Sequence, residues 1–324
     1  MKNKKKNNID VKTIILLITI VFSCINLYAT SQYLYDSKDI KYENTSTLTS
    51  ATDVQTAVDD LLTIASRYEL TAGNADFHNI IFRGKDVTEY LSSEYSLYDR
   101  IADGTFTDLY VGDYVVLNEI TWRIAGFDIY YGKGDSTDTS INQTYNRHHA
   151  VIVPDTNLTT AYMHSSNNAK IGYIGSTMYT ATLPSVLSTY IKPLFGDHVL
   201  KYRNLLVKTA NTGNCNRLGA CSGTSNAWGW YTRELDLMNE NQIFGSIIWS
   251  SSGFDTGSDN IQFPLFRLKP EYIDKSRSWY WLRCVANKTQ FVNVGNMTSI
   301  LSGGFSSFAN AKTLGGVRPY FYIG

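Results

Sequence analysis

Apolar and polar positions along this chain follow two different periods. In "TDVQTAVDDLLTIASRYEL", Val54, Val58, Leu61, Leu62 and Ala65 recur at helical spacing. A short amphipathic helix with a narrow apolar stripe is expected over residues 52–66, and Thr52 and Gln55 form a capping-box pattern at its start. From residue 108 the period shortens to two. "DLYVGDYVVLNEITWRIAGFDIYY" (108–131) places two runs of Val, Ile, Trp and Tyr on either side of Asn118 and Glu119, which reads as a hairpin. "HHAVIVPD" is a further strand stopped by Pro154, and "HVLKYRNLLVKTA" another. "TLPSVLSTYIKPLFG" returns to a helical period, with Thr182 as cap, Pro184 in the first turn and Pro193 at the end. "RELDLMNENQIFG" is a second helix candidate, while "FRGKDVTEYL" and "SLYDRIADGTF" suggest short helix and turns. Residues 211–230, rich in Gly, Asn, Ser and Cys, read as loop, and "SIIWSSSGFDTGSDNIQFPLFRL" as loop and strand. "SWYWLRCVA", "TQFVNVGN" and "GVRPYFYIG" close the chain as short adjacent strands between Gly-rich turns. No fixed-period repeat or internal linker divides residues 73–324, so one globular α+β domain is expected there, built mostly of short antiparallel strands with a few helices.

The start of the chain has a different pattern. Residues 1–12 are basic and polar, and residues 13–29, "TIILLITIVFSCINLYA", are almost wholly apolar. A basic start before an apolar run marks an export or anchoring signal. Three forms of it fit: an uncleaved membrane anchor, a signal cleaved after Ala29, or a lipoprotein carrying its lipid on Cys24 of "VFSC". All three put residues 31–324 outside the cytoplasmic membrane. Residues 1–30 are thus a membrane segment, and 31–72 a connector with the amphipathic helix. A narrow stripe this close to a tether packs either on copies of itself, as a homo-oligomer through residues 52–66, or on the domain that follows.

Charge narrows the partners. The chain has no net charge, but Lys2, Lys4, Lys5, Lys6 and Lys12 face only Asp10 in the leader, so the remainder is mildly acidic. Nothing predicts a basic face for nucleic acid. Aromatics make up 13%, with 23 tyrosines, a composition that favours both strands and contact surfaces.

From residue 77 onward the sequence resembles an uncharacterised family of phage-derived and Firmicute surface proteins. The motifs that carry the resemblance are "FRGKDVTEYL", "GTFTDLYVGDYVVLNEITWRIAGFD", "HHAVIVPD", "LDLMNENQIFGS", "SGFDTGSDNIQFPLFRLKPEYI", "SWYWLRCVA" and "GVRPYFYIG". The last two are its signature, and the resemblance covers about three quarters of the chain. Upstream, "YLYDSKDIKYENTSTLTSATDVQTAVDDLL" resembles a connector and "VQ-A-DEL" segment of phage tail-fibre and surface proteins. The resemblance implies a C-type-lectin-like module and no specific activity. Cys284 departs from the pattern, where a small Ala or Ser is usual, so its thiol state is left open.

Candidate chemistry is sparse. There is no GxSxG elbow, Walker loop or HExxH. His148 and His149 are adjacent and face opposite ways on a strand, so at most one could share a site with His164 or His198. Asp255, Asp259 and Asn260 in "DTGSDN" offer a calcium-like oxygen set, although Phe266 stands where an EF-hand has Glu; an Asx-rich turn accounts for the same residues. Cys215 and Cys221 in "CNRLGAC" could close a disulfide loop. Arg123 and Asp128 could form a cross-strand ion pair. No cofactor is implied. In "SWYWLRCV", alternation puts Leu282 and Cys284 on a core face and Trp279, Trp281 and Arg283 on the other. That second strip either lines an exposed ligand groove, where Arg283 could stack or bond bidentately, or is buried, with Arg283 and Arg318 in internal ion pairs. The expectation is a non-catalytic, membrane-tethered extracellular recognition or adhesion module for a glycan or surface protein. The alternatives are an oligomeric component of a fibre-like appendage, and a hydrolase on the same fold that gathers His149 and Asp155.

Overall fold

The computed structural model describes residues 52–58, 60, 75–134, 145–210, 225–250, 261–275, 277–295 and 304–324. The chain divides into two units, residues 1–67 and 68–324. In the first, residues 54–58 are helical. Asp53 caps them, one residue later than the pattern predicted: its Oδ1 accepts from the Thr56 N–H at 2.7 Å. No helix among the described residues is long and apolar enough to cross a membrane; residues 13–29 lie outside them.

The second unit is mixed α+β, mostly strands with few helices. It begins with α1 (Ala75–Asn79) and α2 (Leu97–Ala102), the latter closed by a Ser96/Asp99 capping box. β1 (Tyr114–Leu117) and β2 (Ile120–Phe127) form the expected hairpin, with Asn118 and Glu119 both at positive φ (51° and 60°). That is the turn whose twist matches paired strands. β3 (Ala150–Pro154) and β4 (Thr159–Tyr162) follow.

Residues 178–195 form one continuous helix, α3. Ordinary turns, Leu183–Val186 and Lys192–Phe195, alternate with wide ones, Met178–Thr182 and Leu187–Ile191. The prolines explain the alternation. A proline clashes with the carbonyl four residues earlier, and here those carbonyls, of Thr180 and Thr189, both sit in wide turns. Pro193 therefore does not end the helix; Gly196, at φ 55°, does.

β5 (Tyr202–Ala210) and β6 (Ser225–Arg233) form a two-stranded ribbon. The composition of residues 211–230 suggested loop, yet 225–230 belong to β6, where the alternation of Trp228 and Trp230 outweighs Gly229. The second predicted helix is shortened to β7 (Asp236–Leu237) and α4 (Glu240–Phe244), with an Asn239/Gln242 capping box. α5 (Pro264–Leu268) takes the place of an expected strand, with Pro264 in its first turn. The chain finishes with β8 (Tyr280–Asn287), β9 (Gln290–Gly295), β10 (Phe305–Asn310), β11 (Leu314–Val317) and β12 (Pro319–Ile323).

Two five-stranded sheets organise these strands. One runs β1-β2-β3-β12-β7, the other β10-β9-β8-β11-β4. The terminal "GVRPYFYIG" therefore serves both sheets: β11 pairs with β4 and touches β8, and β12 inserts between β3 and β7. Arg318, fully buried, is the joint between them. Its Nε donates to the Pro154 carbonyl at 2.8 Å, and its Nη1 to the Tyr272 and Ile273 carbonyls at 3.0 and 2.9 Å. The internal ion pair expected for it is replaced by carbonyl acceptors. β12 is buried along its whole length. Phe321 meets Trp122 and Phe195 edge-on, while Tyr322 packs on Tyr202, Tyr130 and His149 on the opposite side.

Candidate functional site

The strip read from the pattern of β8 is not a surface. Trp281 and Arg283 are 0% and 2% exposed, and Trp279 is half-buried. The tryptophans pack edge to face with ring centroids 5.0 Å apart, and Trp281 Nε1 donates to the Ala161 carbonyl of β4 at 3.0 Å. They nest on the bare backbone of β11. A Cβ on Gly315 would lie 2.3 Å from Trp279, and one on Gly316 2.6 Å from its carbonyl. Gly315 thus opens the space that the tryptophan rings fill, and Gly316 the space taken by the Asn157 side chain and the Trp279 carbonyl; with both faces of β8 covered, no ligand groove runs along it.

Arg283 ends in a buried polar network. Its Nη1 lies 3.6 Å from Asp236 Oδ2 and donates to the Tyr320 hydroxyl at 3.2 Å. Asp236 accepts from the Tyr173 hydroxyl at 2.5 Å and from Asn204 Nδ2 at 3.2 Å. Burial, followed by the neighbouring carboxylate, drives the Tyr173 pKa well up, so the phenol keeps its proton and donates it. A charge buried this completely is tolerable only because the hydrogen bonds around it are made.

The other carboxylates and histidines are also engaged. Asp155 grips Arg123 bidentately at 2.8 and 2.6 Å, and the guanidinium lies between the Tyr114 and Tyr272 rings. Arg123 therefore pairs with Asp155 and not Asp128. Asp128, at φ 50°, instead accepts from the His149 N–H at 2.9 Å and lies 2.6 Å from His148 Nδ1. His148 stacks on the exposed ring of Tyr131. His149 is fully buried: its Nδ1 donates to the Arg147 carbonyl at 3.0 Å, and its Nε2 accepts from the Tyr130 N–H at 3.1 Å. Both ring nitrogens are used by a neutral imidazole, and burial pulls its pKa down to about 4. His164 bonds Thr177, and His198 stacks on Tyr98. His149 is thus held by Tyr130 and Arg147, and Asp155 by Arg123, with no hydrogen bond between the two. Glu240, also fully buried, accepts from Trp249 N–H, Ser250 Oγ at 2.7 Å and Ser306 Oγ at 2.6 Å, while its own N–H donates to Cys284 Sγ.

Exposed aromatic surface lies instead on the β5–β6 ribbon. Register sets its faces: Arg203 opposes Thr232, Leu205 opposes Trp230 and Val207 opposes Trp228. The alternate residues Tyr202, Asn204 and Leu206 are buried against the sheets. The outer face therefore carries Trp228, 48% exposed, half-buried Trp230 and exposed Thr232 in a row. At the foot of this row is a cavity of about 290 Å³. Leu183 and Leu235 make its buried floor; Pro184, Leu187, Lys201, Thr232, Arg233 and Glu234 make its walls. Glu234 is tied to Lys192 at 2.8 Å. Arg233 lies 3.9 Å over the Tyr179 ring, and its buried Nε has no hydrogen-bond partner among the described residues. Lys201 is exposed and has no ion-pair partner among them.

The sequence reading missed Trp228, Trp230, Lys201 and Arg233. The signal was present in "AWGWYTR", but Gly, Asn and Cys just upstream masked it. Asp255, Asp259 and Asn260, and likewise Cys215 and Cys221, lie outside the described residues. No family model, curated protein or solved structure matches this chain.

Proposed function

We propose that this protein is a non-catalytic recognition module displayed outside the cytoplasmic membrane, tethered through residues 13–29, with a C-type-lectin-like domain that binds a glycan or surface protein. The observation that carries this reading is the outward row of Trp228, Trp230 and Thr232 beside a walled cavity. Tryptophan combines a large apolar face with low entropy cost on contact, which suits a binding surface better than an isolated solvent-exposed position. The lectin-like assignment draws on two sheets of mainly antiparallel strands and few helices, and on a terminal strand inserted between earlier ones. The test is binding of the full chain, in detergent or membrane discs, to glycan and cell-surface protein arrays. Saturable binding that Trp228→Ala weakens without shifting the melt supports the reading. Absence of binding at any practical concentration overturns it.

A further inference from the structure

The cavity at the foot of the ribbon has an uneven charge inventory. Its one carboxylate, Glu234, is already neutralised by Lys192 at 2.8 Å. Its two cations are not matched in the same way. Lys201 stands exposed at the rim without an ion-pair partner among the described residues. Arg233 lies 3.9 Å over the Tyr179 ring with Asp236 as its nearest balancing carboxylate, and keeps a buried Nε without an acceptor among the described residues. That carboxylate is shared with Arg283, whose Nη1 lies 3.6 Å from Asp236 Oδ2. The cavity therefore presents more positive charge than its own wall balances, above an aliphatic floor of Leu183 and Leu235. Its volume, about 290 Å³, is at the bottom of the range for small-molecule sites and has room for about one sugar ring.

The row of exposed residues sets the direction from which a ligand arrives. Thr232 belongs both to the cavity wall and to the outer face of β6, and Trp230 and Trp228 follow it at two-residue spacing on that face. A ligand seated in the cavity would continue along the ribbon over two indole faces. A chain of pyranose rings, apolar on their faces and hydroxylated at their rims, fits such a row.

Resting on the recognition reading above, we propose that the cavity holds the terminal acidic residue of a glycan, its carboxylate drawn by Lys201 and Arg233, with the following sugars over Trp230 and Trp228. Arg233 is the fixed partner, because it is half-buried over the Tyr179 ring; Lys201 is the exposed one at the mouth.

Matched probes separate this proposal from the reading it rests on. Titrations of the full chain by calorimetry would use sialyllactose and trigalacturonic acid, the methyl ester of each, plain lactose, and a peptide with a free terminal carboxylate. Expected is binding of an acid-terminated glycan at least about tenfold tighter than its methyl ester, the scale of one charge-assisted hydrogen bond. Lys201→Gln should remove most of that preference without changing the melt, and Trp228→Ala should weaken acid and ester alike. If acid and ester bind equally, or the peptide acid binds and the glycans do not, this proposal is overturned while the recognition reading survives. If none of these probes binds and the arrays are also blank, both fall.

Discussion

Two strands of this molecule carry nearly the same pattern. Trp279 and the start of β8 read Trp279-Tyr280-Trp281-Leu282-Arg283, and β6 reads Trp228-Gly229-Trp230-Tyr231-Thr232-Arg233. At β8 the tryptophans nest on Gly315 of β11 and the arginine ends in a buried network with Asp236. In β6 the tryptophans face outward. The difference is position, not pattern. β8 sits in the middle of a five-stranded sheet with β11 beside it, whereas β6 has only β5. Alternation states which residues share a face; it does not state whether anything covers that face.

The largest expected effect comes from the segment that covers β8. Deleting residues 317–324 removes β12 from between β3 and β7 and removes Arg318 from the joint, so the cooperative melt should be lost altogether in calorimetry. A truncated chain that still melted cooperatively would break the comparison.

Next comes substitution of matching tryptophans. Trp281→Ala should cost about 3–5 kcal/mol in denaturant unfolding, the scale of a buried large-to-small change. Trp228→Ala should stay within about 0.5 kcal/mol, as surface changes do. Equal costs would mean that the two faces are not covered differently.

Acid offers a third lever. The folded pKa of His149, about 4, lies below its ordinary 6.5 because of burial. Between those values the unfolded chain binds the extra proton and the folded one does not, so stability is full above pH 6.5 and falls as pH drops towards 4, by about 3 kcal/mol at most. Asp128, whose pKa burial raises, works in the opposite direction near the lower end of that window. Urea midpoints measured from pH 7 to 4 check the sign. His149→Asn should flatten the slope, because the proton-linked group is gone; an unchanged slope would assign the acid loss elsewhere.

The smallest clear loss of stability is expected at the glycine beneath the tryptophans. Gly315→Ala places a methyl 2.3 Å from the Trp279 ring, and the half-buried ring must shift, at about 1–3 kcal/mol. The same change at Gly132, where nothing lies within 4 Å of the added carbon, probes only the strain of its φ of 73°.

Much of the fold was legible along the chain. The β1–β2 hairpin showed itself through Asn118 and Glu119, and β3, β5, β8 and β9 through their β-branched and aromatic runs. Elements whose identity depends on neighbours were not legible. β4 and β10 are short and polar, and exist because β11 and β9 pair with them. α3 runs through two prolines because wide turns move the obstructing carbonyls. The candidate site was the least legible, because its cavity joins α3 residues to the start of β5 and the end of β6, which the chain separates by some thirty residues but the ribbon register brings together.

Composition and local period by themselves determined the mixed α+β character, the alternation on each strand and the apolar terminal segment, because these depend on propensity and spacing within a few residues. Only the tertiary structure decided which tryptophan pair is core and which is surface, and which carboxylate each arginine meets. Those outcomes depend on long-range strand order, and no local window of the chain contains it.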